Sequence, residues 1–222
     1  MEQQHTVLTY LDSYCERAGD PSLWGEPVNA VTNLFFLIAA VAAALAAWNL
    51  PNRRFAVIGD IWLLCAALFA IGIGSGLWHL QPNGHTVLMD VLPITAFINI
   101  YLIAALRRFF RLNWGLVAAL WLLYTGFGVL AQMQLPADML HGTIMYIPTY
   151  LTLLVLSAAI WRKNAVEGRV FLPIVVVWTA SLMFRTVDIE ICEQFPLGTH
   201  FLWHTLNAWV LYRLLRALIQ KA

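Results

Sequence analysis

Seven long apolar stretches constrain this chain more than any other feature of its sequence. A helix needs about 20 apolar residues to cross a bilayer, and it satisfies its own backbone hydrogen bonds there. Only 11% of the residues are charged, whereas soluble domains carry about a quarter. The sequence therefore predicts an all-α integral membrane bundle of seven transmembrane helices, forming one domain over residues 1–222. The helices are expected at approximately 28–48, 57–79, 87–106, 113–131, 139–161, 170–188 and 199–219, after an N-terminal segment at 1–27.

The placement of basic residues predicts the orientation of the bundle. Eleven of the 13 Lys and Arg residues fall in the breaks after the first, third and fifth stretches or in the C-terminal tail. On the other side, outside the helices, only Arg17 is found. Because cytoplasmic loops are enriched in Lys and Arg, we expect the N-terminus outside and the C-terminus in the cytoplasm. A net charge of +1 gives no reason to expect a nucleic-acid partner.

Histidines and one carboxylate recur at the outer ends of three predicted helices. His200 and His204 stand four residues apart in "HFLWH", so they share one face of the seventh helix. His79 lies in the last turn of the second helix, with Ser75 one turn before it. Asp90 lies in the first turns of the third helix. The predicted topology places all of these side chains at one depth in the outer leaflet.

Ionisable groups at this depth are costly unless they face a common interior site. Neutral imidazole is a good zinc ligand, and three protein ligands with an open fourth position are usual for catalytic zinc. The pattern therefore predicts a zinc site at His79, His200 and His204, with Asp90 beside it. For His5, His85 and His141 the interpretation is an interfacial residue or a helix–helix hydrogen bond. Ser75 alone is also explained as a small residue that permits close helix packing.

Other polar residues near the predicted outer face have simpler interpretations. Cys15 and Cys192 both fall on that side, so they either form a disulfide in an oxidising compartment or remain two free thiols. Arg185 and Asp188 are three residues apart and are expected to pair on one face of the sixth helix.

Three blocks of the sequence resemble the alkaline ceramidase family, seven-helix membrane hydrolases related to adiponectin-type receptors. They are "YCER…WGEPVNAVTNLFFL", "GIGSGLWHLQPNGHTVLMDVLPI" and "GTHFLWHTLNAWVLY". The resemblance implies zinc ligation by His79, His200 and His204, proton transfer by Asp90, and a hydrogen bond from Ser75 to the developing oxyanion. The implied reaction is hydrolysis of the amide of ceramide, or of another N-acyl lipid, to a sphingoid base or amine and a fatty acid. Short loops favour a bacterial member in the inner membrane, with its active site towards the outer leaflet.

The same resemblance implies a calcium site in the N-terminal segment. Glu16 and Glu26 match acidic ligands of the family, while Ser13, Tyr14 and Ala18 depart from its pattern. Calcium accepts varied oxygen ligands, so the candidate ligand set is completed by two further acids. The full set is Asp12, Glu16, Asp20 and Glu26.

Two further classes of function compete with a lipid amidase. One is a non-enzymatic seven-helix receptor or sensor with a structural zinc, which would favour a closed fourth coordination position. The other is a proton-coupled transporter, which is disfavoured because beyond Asp60 no polar residues continue a path to the inner leaflet. The partners expected for the amidase are the lipid bilayer and a membrane lipid substrate.

Overall fold

The computed structural model describes residues 11–136 and 138–222. The all-α prediction is confirmed, because the described residues form helices and turns and none of them forms a strand. Two short 3-10 turns, Thr143–Tyr146 and Ile189–Ile191, precede the fifth and seventh helices. The first helix consists of two helical segments that meet at Asn33. The long helices in the described residues are α1 Pro27–Trp48, α2 Phe55–Leu80, α3 Gly84–Phe110, α4 Trp114–Gln134, α5 Ile147–Lys163, α6 Ala165–Val187 and α7 His200–Ile219.

Six of these helices, α1 to α6, are long and apolar enough to cross a membrane when α5 is counted with the 3-10 turn before it. This composition indicates a multi-pass membrane protein. Helix α7 is 20 residues long, but it carries two histidines and two arginines. It is also well enclosed, since it packs against α1, α2, α3 and α6. Enclosure by other helices explains how α7 tolerates polar residues that a lipid-facing helix would not.

The predicted boundaries fail where polar or turn-forming residues begin a helix. The fifth helix was expected from residue 139, but Leu140, His141 and Gly142 adopt left-handed backbone conformations that an α-helix excludes. Helix α5 therefore begins only at Ile147, after the 3-10 turn. The sixth was expected from residue 170, yet α6 begins at Ala165, because Asn164 caps its first turn.

The helices form a ring in which each helix packs against the next, and α7 closes the ring against α1. The core residues lie mainly on the inward faces of α1, α2, α3, α6 and α7. Helix α4 lies at the periphery, where Val117 is its one fully buried residue. The outward faces of the bundle are lined by exposed large apolar side chains, which suits contact with lipid.

Helices α2 and α3 approach each other closely at Gly74, near the site. A Cβ atom at Gly74 would overlap the carbonyl oxygen of Met89. Pro93 lies four residues after Met89 and has no N–H to donate, so it leaves this carbonyl without its usual helical partner. Glycine on one helix and proline on the other therefore bring the segments carrying Ser75 and Asp90 together.

Candidate metal centre

Three buried histidines converge at one end of the bundle, which we call the histidine end. His79 lies in the last turn of α2, and His200 and His204 lie in the first two turns of α7. Each offers a ring nitrogen, and these ligand atoms all lie within 4.8 Å of one another. The three side chains are only 1–2% exposed. The structure therefore brings together the three residues predicted as metal ligands, and the cluster can hold a metal ion.

Hydrogen bonds donated by the ring N–H at Nδ1 orient two of the three rings. His79 Nδ1 lies 2.6 Å from Oε2 of Glu26. His204 Nδ1 lies 2.9 Å from Oγ1 of Thr32, whose hydroxyl donates to the carbonyls of Val28 and Asn29. The hydroxyl hydrogen is thus used, so the imidazole N–H of His204 must be the donor to Thr32. Both rings then present an unprotonated Nε2, the form that binds metals, and the partner of Nδ1 fixes this tautomer.

The third ring, His200, is held through the backbone at the start of α7. Asp188 Oδ1 accepts hydrogen bonds from the backbone amides of Thr199 at 2.6 Å and His200 at 2.8 Å. Its other oxygen accepts from the amide of Cys15 at 3.2 Å. The predicted pairing of Arg185 with Asp188 is wrong, because Asp188 acts as the cap of α7. His200 Nδ1 is buried and has no hydrogen-bond partner among the described residues.

The N-terminal segment (residues 11–26) covers the histidine end. Cys15 and Cys192 form a disulfide with a Cα–Cα distance of 5.2 Å. The adjacent Tyr14 ring lies 4.0 Å from the His200 ring and 5.0 Å from the His79 ring, between centroids. Burial raises the pKa of the Tyr14 phenol despite the lowering effect of Arg185, so Tyr14 is neutral at physiological pH. The disulfide therefore holds the Tyr14 ring over His79 and His200.

Ser75 and Asp90 lie beside the histidine cluster, on the neighbouring helices α2 and α3. The Ser75 side chain is within hydrogen-bonding reach of the Asp90 carboxylate, and this carboxylate also lies close to His79. Asp90 Oδ1 has no hydrogen-bond partner within the described part of the chain. Asp90 is only partly buried, in contrast to the histidines. The arrangement leaves one carboxylate oxygen free to accept a proton or a hydrogen bond at the edge of the cluster.

The structure does not gather the four predicted calcium ligands into one cluster. Glu16 accepts hydrogen bonds from the backbone amides of Val28 and Asn29 and so caps α1. Asp20 binds the amide and hydroxyl of Ser22, whereas the carboxylate of Asp12 lies near Gly19. The histidine cluster is the candidate metal site in residues 11–136 and 138–222, when groups of at least three His, Cys, Asp or Glu residues are considered.

The electrostatics of these acids reflect their separate partners. Burial raises the pKa of Glu16, although the two helix amides oppose the shift. The hydrogen bonds to Ser22 lower the pKa of Asp20. For Glu26, burial acts to raise the pKa, but hydrogen bonds from His79, Arg17 and Asn29 outweigh it and lower the pKa. Glu26 is therefore an ionised partner of His79.

Arg17 binds the carboxylate of Glu26, one of the four candidate calcium ligands, and the backbone carbonyl of Asp20, another of them. Its side chain is 0% exposed, and its Nε donates to Oε1 of Glu26 at 2.6 Å. Its terminal nitrogens donate to the carbonyls of Asp20 at 2.8 Å, Ser22 at 3.0 Å and His79 at 2.6 Å. Arg17 thus binds both the backbone carbonyl of His79, a candidate metal ligand, and Glu26, the carboxylate partner of that histidine. Its position as the single basic residue in an acidic outer segment was the sequence signal for this role.

The remaining histidines lie apart from the cluster or outside the described residues. His141 pairs with Glu190 at 2.7 Å on an exposed surface, and His85 lies in the first turn of α3. His5 falls in the part of the chain that the structure does not describe. Comparison of the sequence with protein-family models and with curated proteins finds no match.

Proposed function

We propose that this protein is a zinc-dependent membrane amidase that hydrolyses the N-acyl amide of ceramide or a similar lipid. The observation that carries the proposal is the buried cluster of three histidines with ligand atoms within 4.8 Å of one another, next to a carboxylate with a free oxygen. Three neutral imidazoles suit zinc among several transition metals. Zinc, when bound, supplies Lewis-acid polarisation of the amide carbonyl and activation of water.

The protein's own residues supply the proton transfers. Hydrolysis adds water to the carbonyl carbon, breaks the C–N bond and moves one proton to the departing nitrogen. Asp90 is the group that takes the proton from water and passes it to the amine. Its free Oδ1 faces no protein donor in the described residues. A hydrogen bond from the Ser75 hydroxyl to the nearby Asp90 carboxylate would orient this carboxylate.

The proposed topology completes the bundle with α7 as a seventh span. The predicted outer location of the histidine end agrees with the disulfide between Cys15 and Cys192, because disulfides persist in oxidising compartments. For a bacterial owner, we propose a site towards the outer leaflet of the inner membrane. A lipid substrate would present its amide at this depth. It would enter the site beside Asp90, and not from the side closed by Tyr14 and the disulfide-bonded N-terminal segment.

The test compares Asp90→Asn with wild type in lipid nanodiscs, using an N-acyl sphingosine with a fluorescent acyl chain. Loss of a general acid–base group lowers turnover by about 100- to 10,000-fold. We expect this loss with the zinc content unchanged, and no such loss in His141→Ala, which alters a histidine outside the cluster. Full turnover by Asp90→Asn would refute the role of Asp90. Stoichiometric zinc in wild type without hydrolysis of any lipid amide would favour a receptor with a structural metal.

A further inference from the structure

One half-buried cation at the histidine end, Arg185, has no role in the proposed hydrolysis. Arg185 lies near the end of α6, inside a segment apolar enough to span a membrane. Its guanidinium lies 5.6 Å from the ring centroid of Tyr146 and 5.4 Å from that of Trp203. The Tyr14 side chain is within hydrogen-bonding reach of the same group. Arg185 Nε is buried and has no hydrogen-bond partner in the described residues.

Within the described residues, Arg185 also has no carboxylate ion-pair partner. The arginines of residues 11–136 and 138–222 that form ion pairs are Arg17 and Arg108. The charge of Asp90 acts on Arg185, but the two side chains form no ion pair. Charged residues at membrane depth are costly and are usually paired or functional. The stacking against Tyr146 and Trp203 is favourable, yet it leaves the N–H donors of the guanidinium available.

The position of Arg185 connects it to the metal centre. The Tyr14 ring lies 4.0 Å from the His200 ring, between centroids, and its side chain is within hydrogen-bonding reach of Arg185. Tyr14 therefore links the surroundings of the guanidinium to the histidine cluster. Arg185 is partly exposed, as is Asp90, so an incoming lipid would meet both residues.

We propose that Arg185 binds a carboxylate on the lipid ligand. This inference rests on the proposed amidase function and specifies the chemistry that the site recognises beyond the amide. The planar guanidinium matches a carboxylate in a two-pronged hydrogen bond. The carboxylate has two possible sources, the acidic headgroup of an N-acyl amino acid or the fatty acid released by hydrolysis. Either source gives the buried Nε–H an anionic acceptor that the described residues do not supply.

The experiment measures ligand binding to the zinc-loaded protein in nanodiscs, so it does not depend on turnover. The probes are N-oleoylglycine and oleic acid, with oleamide as the neutral lipid of the same chain length. The variants are Arg185→Met and Arg185→Lys. Arg53→Met is the matched control, since Arg53 also stacks on a tryptophan, Trp48 at 4.2 Å, but faces the other end of the bundle.

We expect wild type and Arg53→Met to bind at least one carboxylate probe about tenfold more tightly than oleamide, as for a charge-assisted contact. Arg185→Met should lose this preference, and Arg185→Lys should retain part of it. Preference for N-oleoylglycine alone assigns a headgroup source, and preference for oleic acid alone assigns the product. Unchanged carboxylate preference in Arg185→Met, or no preference in wild type, would overturn the proposal. Absence of hydrolysis in the same samples would refute the amidase function separately.

Discussion

Replacement of Arg17 with methionine is expected to destabilise the protein strongly, because Arg17 and Glu26 form a pair removed from solvent. Their side chains are 0% and 2% exposed. The substitution keeps the length of the side chain but leaves the Glu26 carboxylate without its cation and three backbone carbonyls without their donor. Removing one partner of a buried ion pair costs about 3–5 kcal/mol. For a chain of this size that loss corresponds to a melting temperature lowered by about 6–20 °C.

The assay is thermal unfolding of purified protein in detergent, with a double-mutant cycle to isolate the pair. Glu26→Gln removes the charge that Arg17→Met leaves buried, so the double variant should lose less stability than the two single losses added together. The coupling energy for such a pair is about 0.5–3 kcal/mol. The control is Arg108→Met, which breaks the more exposed pair with Asp60, 14% and 28% exposed. An exposed pair contributes about 0–1 kcal/mol.

The result that would refute this reasoning is a melting temperature of Arg17→Met within about 2 °C of wild type, less than the shift for 1 kcal/mol. Strict additivity of Arg17→Met and Glu26→Gln would also refute it, since it would mean that the two groups do not interact. Arg17→Lys separates charge from shape. Lysine restores the positive charge but not the five-donor fork, so it should recover only part of the stability.

Three further outcomes follow from contacts at the histidine end. Gly74→Ala should abolish the folded protein, since its Cβ would overlap the Met89 carbonyl. The control Gly76→Ala should fold, because its Cβ would meet atoms no closer than 3.7 Å. Equal yields of the two variants in size-exclusion chromatography would contradict this expectation. Glu26→Gln should weaken zinc binding by about 10- to 100-fold in a chelator competition, and unchanged affinity would show that the Glu26 contact does not tune His79. Cys15→Ser should cost about 2–4 kcal/mol, and reductant should then have no further effect on its melting temperature; an equal effect of reductant on variant and wild type would count against a disulfide role.

The helices and the histidine cluster were predictable because local signals define them. Long apolar runs locate the helices closely, except at the starts of α5 and α6, which lie at Ile147 and Ala165. The short links make the helices alternate in direction. Alternation places the end of α2 and the start of α7 at the same depth, so His79 meets His200 and His204. In "HFLWH" the two histidines are four residues apart, a spacing that puts them on the same face of a helix. No tertiary information was needed for this part of the site.

The contacts that sequence reasoning missed join residues that are far apart in the chain. Arg17 was counted only as an outer positive charge, yet it binds Glu26 and the carbonyl of His79, 62 residues away. Helical spacing paired Arg185 with Asp188, but Asp188 instead caps the helix that starts 12 residues later. A backbone amide at a helix start competes well for a carboxylate. Such competition depends on the path of the chain between elements, which spacing rules do not describe.

The central claim is that His79, His200 and His204 form one metal centre. Its most direct test is the zinc content of purified wild type, His200→Ala and His141→Ala, measured by inductively coupled plasma mass spectrometry after equal zinc loading and desalting. We expect about one zinc per chain in wild type and in His141→Ala, and loss of that zinc in His200→Ala. Zinc retained by folded His200→Ala at the wild-type level, or absent from folded wild type, would contradict it.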